Sequence, residues 1–586
     1  MPTYAPLPSS SLDLPRPPSS LSAFKDKPFP ARNYILLRKS RRCLSRLCRP
    51  LYLSAIFAIA LAWQLLFNAS YAPSTAPAFA IPPHETVFIA ANILSGPLIT
   101  GPWGQSLVQL VDAIGRDRVF VSIYGGPTEA LRVLGGMLGD DVQRSIVSEE
   151  TQPLDLGAMP RTTLPGGERR VKRIAWLAAV RNKVLEPLYR HPNVRAGAGA
   201  KSAAESEGGQ WRKFDKILFI NDVFFDAPGA LRLLWGTNLK NGKTGYKAVC
   251  AADFVASWKY YDTFATRDAE GYSIGVPIFP WFSAEGAAVT RNDVLEGRDA
   301  VRVKSCWGGM VAFRGEYFWA KEEGDGRRRE LLADERTSAQ DAEAASKFSA
   351  GNDIATTKAQ NGLGIPRLPL RFRSEPEPFW DSSECCLIHA DIISLPSLPR
   401  PEDDQEKRDE WDTGIYMNPF VRTSYSASTH SHLALAQRFE RLFSPVQRLL
   451  NICARMPRWN YRRGETEGEV VADQLWISVH SNQTEREAVD AAEHASDGAN
   501  LSPGLDADGN GDGAERKGIL GARATLGTPK GRDYWSTEGY YAPFKRTAKR
   551  GGYCGVRQLL VVKEGELKVG EGNWDNLLDQ VPPVDM

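Results

Sequence analysis

The sequence predicts an α/β protein: a mixed, mostly parallel sheet with helices on both faces, preceded by a single N-terminal transmembrane helix. Three observations carry this expectation. From about residue 85, short apolar runs alternate with helix-length segments, the rhythm of βα units. One of these runs, Lys216-Ile217-Leu218-Phe219-Ile220, is apolar on both faces, as a strand in the middle of a parallel sheet must be. Far upstream, Leu51 to Phe67 is a seventeen-residue run without a charge.

The N-terminus is read first. Residues 1–50 hold ten of the 72 Lys and Arg but two of the 70 Asp and Glu, which leaves the remainder with a net charge of −6. The basic character lives in the arm, which argues against a nucleic-acid-binding body. Pro and Ser dominate residues 1–31, so the arm is expected to be disordered. The apolar run 51–67 covers roughly 26 Å as a helix, close to a thin bilayer. Arg38, Lys39, Arg41, Arg42, Arg46 and Arg49 precede it, and no Lys or Arg follows until Arg116. The positive-inside bias then leaves the arm cytosolic and the rest luminal, a single-pass type II topology in the endoplasmic reticulum or Golgi membrane. A polar leader of fifty residues is too long for a cleaved signal peptide.

Residues 68–84 read as a short stem. A luminal domain is expected over 85–480, interrupted by insertions at 195–209 and 321–353. An acidic, Gly-rich linker (485–530) follows, then a C-terminal segment (531–586) that packs back on the domain. Cys43 and Cys48 flank the membrane on the cytosolic side. The remaining six cysteines would face an oxidising lumen and allow fifteen pairings, so connectivity stays open. Asn482 and Asn500 head glycosylation sequons.

Within the domain, residues 85–93 read as a strand, 105–115 as a helix stopped by Gly115, and 117–126 as a strand running into Gly125-Gly126. Helices follow over 128–139 and 171–190, then the strand 216–221 and a helix over 227–235. Ligands bind at the carboxyl ends of such parallel strands, where Asn221 and Asp222 stand. Asp222 lies several residues too early to cap the next helix, which favours a site role.

Four further stretches are unusually polar or aromatic. Residues 251–271 hold Asp253, Tyr260, Tyr261, Asp262, Arg267 and Asp268. Cys306-Trp307-Gly308-Gly309 precedes an apolar strand, a setting that allows close backbone approach. Residues 372–392 hold Arg373, Glu375, Asp381, Glu384, His389 and Asp391. The long helix carries Arg181-Asn182. Bland readings compete with each: His389 as a core histidine, Arg181 as a snorkelling side chain, Asp262 as a turn residue, Trp307 as a plug at a bulge. His389 becomes a metal-ligand candidate only if its strand runs near Asp222. The run Asp506 to Asp512 imitates a calcium loop but has Gly513 and Lys517 where an apolar residue and Glu belong, so a solvated linker is preferred. A carboxylate at a strand end can hold a divalent cation on a diphosphate, and Arg recognises phosphate bidentately. Together these point to a nucleotide-sugar transferase. A non-catalytic luminal factor for capsule or wall polysaccharide assembly is the rival.

The ordered strings around Ala175–Leu188, Lys216–Phe225, Ala252–Gly271, Ser305–Phe313, Ser383–Ile392 and Gly552–Val556 resemble the fungal cryptococcal mannosyltransferase family, the capsule-associated α-1,3-mannosyltransferases of glycosyltransferase family sixty-nine. The resemblance implies a GT-A-like fold that transfers mannose from GDP-mannose to an α-mannoside glycan with retention of configuration. It further implies Asp222 and His389 as ligands to manganese, with Arg181, Asn182 and Asn221 facing the donor's nucleotide or diphosphate. Asp253, Asp262 and Asp268 become candidates for sugar contact or acceptor positioning. Gly125-Gly126 departs from the family pattern, which has a polar or acidic pair there.

Overall fold

The computed structural model describes residues 50–72, 75–163, 169–189, 213–319, 366–395, 410–458, 460–478, 539–564 and 573–577. The arm, both insertions, the acidic linker with its calcium-like run, and both sequons lie outside them. The chain divides into two units, 1–67 and 68–586. In the first, helix α1 (Pro50–Phe67) has a mean hydropathy of 1.8 over eighteen residues and is long and apolar enough to cross a membrane.

The second unit is built on one large sheet. Its strands are β1 (Val87–Asn92), β2 (Val119–Tyr124), β3 (Gln143–Val147), β4 (Lys216–Ile220), β5 (Ala248–Ala256), β6 (Lys259–Tyr260), β7 (Arg267–Asp268), β8 (Val301–Ser305), β9 (Met310–Arg314) and β10 (Ile415–Ser424). They lie in the order β7-β8-β10-β5-β9-β4-β1-β2-β3, with β6 paired to β5. Strands β4, β1, β2 and β3 run parallel. Strand β9 intrudes antiparallel between β4 and β5, β10 runs parallel to β5, and β8 and then β7 close the far side antiparallel.

Alternation along each strand sends side chains to two separate cores. Phe88, Ala90, Ile217 and Phe219 join one core with Val184 and Leu185 of α4 (Arg173–Tyr189) and with Ile388 of α7 (Glu384–Ser394). Val87, Ile89, Leu218 and Ile220 join the other, with α2 (Pro102–Ile114), α3 (Thr128–Leu138) and α5 (Ala227–Trp235). Helix α5 begins where the sequence suggests because Asp226 caps it, its Oδ1 accepting from the Gly229 N–H at 2.5 Å. Among the described residues, no buried apolar residue of either core precedes Tyr71, so the second unit's core is complete without α1.

Two features differ from expectation. Residues 68–84 are not a spacer: Tyr71 is buried against Phe420 and Trp281, and Arg232 donates to the Pro77 carbonyl. His389 lies on helix α7 rather than on a strand, because Cys385, Cys386, Ile388 and Ile392 form a fully buried helical run with no period-two signal to separate the two states. The antiparallel strands all lie in the half of the sheet beyond β4, in keeping with the mixed, mostly parallel sheet that the sequence predicts. Cysteine connectivity, left open by the sequence, is Cys250–Cys306 and Cys386–Cys554, with Cys385 and Cys453 reduced. The second bridge, with Gly555–Arg557 paired to Trp380–Ser382, holds the C-terminal segment on the body.

Candidate functional site

Strand β4 ends on the same side of the sheet as β5 and β10, and the loop after it is held at both sides. Asn221 N–H donates to the Gly309 carbonyl at 2.9 Å, and Phe224 exchanges two backbone hydrogen bonds with Ser424. Asp222 sits between these anchors, exposed to solvent. Its carboxylate has no side-chain partner among the described residues. The surrounding protein still pushes its pKa upward by desolvation, against the pull of its own backbone N–H and of Arg181. A carboxylate fixed in place, open and unneutralised is suited to a ligand cation.

Asn221 lies behind it. Its Oδ1 accepts from Trp307 Nε1 at 3.2 Å, and its carbonyl accepts from Trp103 Nε1 at 2.9 Å. The Arg181 guanidinium stacks over the Trp307 ring, 4.1 Å from its centroid, and its Nε donates to Glu384 Oε1 at 3.0 Å. Burial opposes the Arg181 charge, but Cys385 and Glu384 hold its pKa above the ordinary value. The snorkelling alternative therefore fails: Arg181 points inward and supplies a buried positive charge beside the strand ends.

Asp253 and Asp262 are brought together. Asp253, near the end of β5, accepts the Asp262 N–H at 3.0 Å and the Tyr425 hydroxyl at 3.0 Å. Asp262 accepts from Ala265 N–H, the Thr266 hydroxyl at 2.7 Å and the Trp307 N–H at 2.8 Å. Burial, with the neighbouring Asp262 charge, pushes Asp253 up to about 8, so it holds a proton near neutrality. Tyr261 is half exposed and packs 4.4 Å from Tyr425, with exposed Trp258 three residues before it. The arrangement offers a protonated acid behind a rim of aromatic rings. Gly308 and Gly309 have φ of +61° and +69°. A Cβ on Gly308 would stand 1.8 Å from the Ala251 carbonyl, so the close approach is to the sheet itself rather than to a ligand.

Other candidates are placed elsewhere. Asn182 exchanges hydrogen bonds with the Phe372 backbone at 2.8 and 2.9 Å, a clamp on the 366–395 segment that spends both ends of its amide. Asp268 closes a turn by accepting from Glu270 and Tyr272 N–H groups, and burial raises it to about 7. His389 is fully buried beside the Cys250–Cys306 sulfurs and Phe313. Its Nδ1 meets the Cys385 carbonyl at 2.6 Å, and burial lowers its pKa to about 4. Cys250 is level with Val311, which is level with Phe219. At about 3.3 Å per residue, His389 therefore lies roughly 10 Å down the strand from Asp222, and the two do not converge on one ion. The grouping of Cys250, Cys306 and His389 is likewise no metal site, since both sulfurs are in the disulfide. Tyr425 escaped the sequence reading. Its signal was weaker than that of Asp222, because the strand before it, Ile415–Ser424, ends on the polar residues Arg422, Thr423 and Ser424 rather than on an apolar run. A depression of about 580 Å³ runs along the β3 edge, where Arg132 and Arg144 already pair with Glu129 and Asp140.

The largely parallel part of the sheet thus gathers carboxylates, a buried Arg and aromatic rings at its strand ends, where open α/β sheets bind their ligands. The family described as Cryptococcal mannosyltransferase 1 matches residues 86–391. This covers just over half of the chain and every candidate residue except Tyr425, and the chain belongs to that family. No curated protein matches the chain.

Proposed function

We propose that the protein is a membrane-anchored luminal α-1,3-mannosyltransferase with a GT-A-like sheet, moving mannose from GDP-mannose to an α-mannoside glycan with retention. The observation that carries this reading is Asp222, an open carboxylate at the end of the central parallel strand with Arg181 and Asn221 behind it. Asp222 would hold a divalent cation, manganese, and such an ion offsets charge building on the leaving diphosphate. Arg181 adds a fixed positive charge on the same side, worth more in a buried setting than in water. Asn221, held by Trp307, lines the donor side.

Asp253, Asp262 and Tyr425 serve the acceptor side in this reading. Tyr261 and Trp258 present flat apolar faces on which a sugar ring can stack, and the Asp253–Tyr425 pair lies behind them as a hydrogen-bonding partner for acceptor hydroxyls. A single membrane helix with an N-terminal basic arm supports the type II orientation in the Golgi or endoplasmic reticulum.

The test is a donor and acceptor screen of residues 68–586, with manganese and with chelator. Release of GDP and a new mannosyl linkage to an α-mannoside, lost on chelation and restored by manganese, is the expected result. Absence of turnover with every nucleotide sugar, with glycan binding retained, would instead favour the assembly factor.

A further inference from the structure

Helix α9 (Glu440–Ala454) is amphipathic in the inverse sense: its polar stripe faces the protein and its apolar stripe faces out. Glu440, Ser444, Gln447 and Asn451, spaced along one helical face, all point inward. Glu440 forms a buried bidentate pair with Arg422. Ser444 accepts from Arg291 at 3.0 Å. Gln447 donates to the Val276 and Ile278 carbonyls at 2.9 and 2.8 Å, and Asn451 accepts from Val276 N–H at 2.7 Å. On the opposite face Leu442, Val446, Leu449, Leu450 and Ile452 are exposed, Leu449 by 61% and Ile452 by 69%. Such a contiguous apolar strip is not a scattering of single surface residues and marks an interaction surface.

Two observations say what covers it. The first is chain connectivity. Ser70 N–H donates to the Gln437 carbonyl at 3.0 Å, and Gln437 Nε2 donates to the Tyr71 carbonyl at 3.5 Å. Gln437 lies three residues before α9, and Phe67, the last residue of the apolar helix α1, lies three residues before Ser70. Three residues of chain reach about 10 Å at most. The start of α9 is therefore joined to the end of the apolar helix by two such spans and one hydrogen bond, roughly 25 Å of path at most. The second is charge. Arg438, Arg448, Arg455 and Arg458 are exposed on or beside α9, while its one acidic residue, Glu440, is buried and paired. An apolar strip flanked by Arg is the pattern of a helix lying in the headgroup region of a bilayer.

We infer that α9 is a membrane-interface helix: its Leu442–Ile452 face enters the bilayer surface and fixes how the catalytic domain stands on the membrane. The inference rests on the anchored reading for the nearness of lipid, but its test does not use the anchor.

The unit 68–586, whose core is complete without α1, is mixed with vesicles of phosphatidylcholine alone or with phosphatidylserine. Flotation is expected with both and more strongly with the second. The triple variant Leu449→Ser, Leu450→Ser, Ile452→Ser is expected to reduce the floated fraction at least tenfold with an unchanged melting temperature. Cys453, exposed on the same helix and beside Ile452, carries an environment-sensitive fluorophore as an independent readout, and vesicles should shift its emission to the blue. A wild-type unit that stays soluble and shows no shift overturns the inference, as does a triple variant that floats equally well. A dimer in sedimentation that the triple variant dissolves, without flotation, also overturns it and assigns the face to a second copy. Carbonate extraction of the full chain tests the anchor separately, so failure of one reading is not mistaken for failure of the other.

Discussion

The stretch after strand β4 and the stretch from Arg373 to Asp391 are both rich in charge, yet they use it in opposite ways. In the second, each carboxylate meets a cation: Arg373 with Asp391 and Glu375, Lys549 with Glu375, Arg462 with Glu377, Lys172 with Asp381, Arg181 with Glu384. After β4, Asp222 pairs with none among the described residues. The difference separates scaffold from site. Charges that neutralise one another hold segments together, here α4, α7 and the C-terminal segment, while an open carboxylate on a rigid loop is available to a ligand. Arg181 belongs to both regions, paired to Glu384 on one side and acting on Asp222 on the other.

The largest effect is expected in the scaffold. Lys172 and Asp381 form an ion pair at 2.8 Å, both almost wholly buried, and Lys172 also donates to the Glu375, Glu377 and Trp380 carbonyls. Removing one partner leaves a buried unbalanced charge, at a cost of about 3–5 kcal/mol. Asp381→Ala should lower the denaturant midpoint accordingly, and the double change Lys172→Met, Asp381→Leu should recover part of the loss. A small loss for the single variant would mean that the carbonyls alone satisfy Lys172, and the contrast between the two regions would weaken.

Next comes the site. Asp222→Ala should reduce mannosyl transfer at least about 100-fold, on the scale of losing a ligand-holding group, and leave the melting temperature unchanged because the side chain is exposed and without a side-chain partner. Full activity in this variant would take Asp222 out of the site.

Asp253 gives a smaller, pH-dependent effect. Its folded pKa is raised from 3.8 to about 8. Between those values the unfolded chain has released the proton and the folded chain has kept it, so stability falls as pH rises across the window, with a slope of up to about 1.4 kcal/mol per pH unit. Below it both states are protonated and above it both are ionised, and the slope vanishes. Asp253→Asn, which can accept the Asp262 N–H through its amide oxygen and donate to the Tyr425 oxygen, should remove this slope. Denaturant midpoints of the two proteins that fall in parallel from pH 4 to 8 would show that Asp253 is already ionised when folded.

Much of the first half of the fold was legible because its signals are local. Strands β1, β2 and β4 are short apolar runs closed by Gly, Asn or Asp, and α5 is bounded by its own cap. Asp222 could be read because its oddity, an acid at the end of a buried strand, is visible in four letters. His389 could not be placed, since a fully buried helix and a fully buried strand spell the same apolar run. The pairing of Asp253 with Tyr425, 172 residues apart, depends on β5 and β10 lying side by side, which no local pattern encodes. The inverted face of α9 is a third case: its periodicity is plain, but periodicity alone does not say which face is inside.

The smallest effect separates two carboxylates in one loop. Asp226 lies four residues after Asp222 and is also exposed, but its Oδ1 is committed to the Gly229 N–H at the start of α5. Asp226→Ala should cost about 1 kcal/mol of stability, the usual loss for an N-cap, and Asp226→Asn much less, because Asn caps equally well. Neither should change transfer at a temperature where both remain folded, since the Phe224–Ser424 backbone bonds hold the loop between Asp222 and the helix. If Asp226→Asn lowers transfer as strongly as Asp222→Ala while stability is kept, the second carboxylate also reaches the ligand. The distinction between a spent acid and an open one would then no longer separate cap from site within this loop.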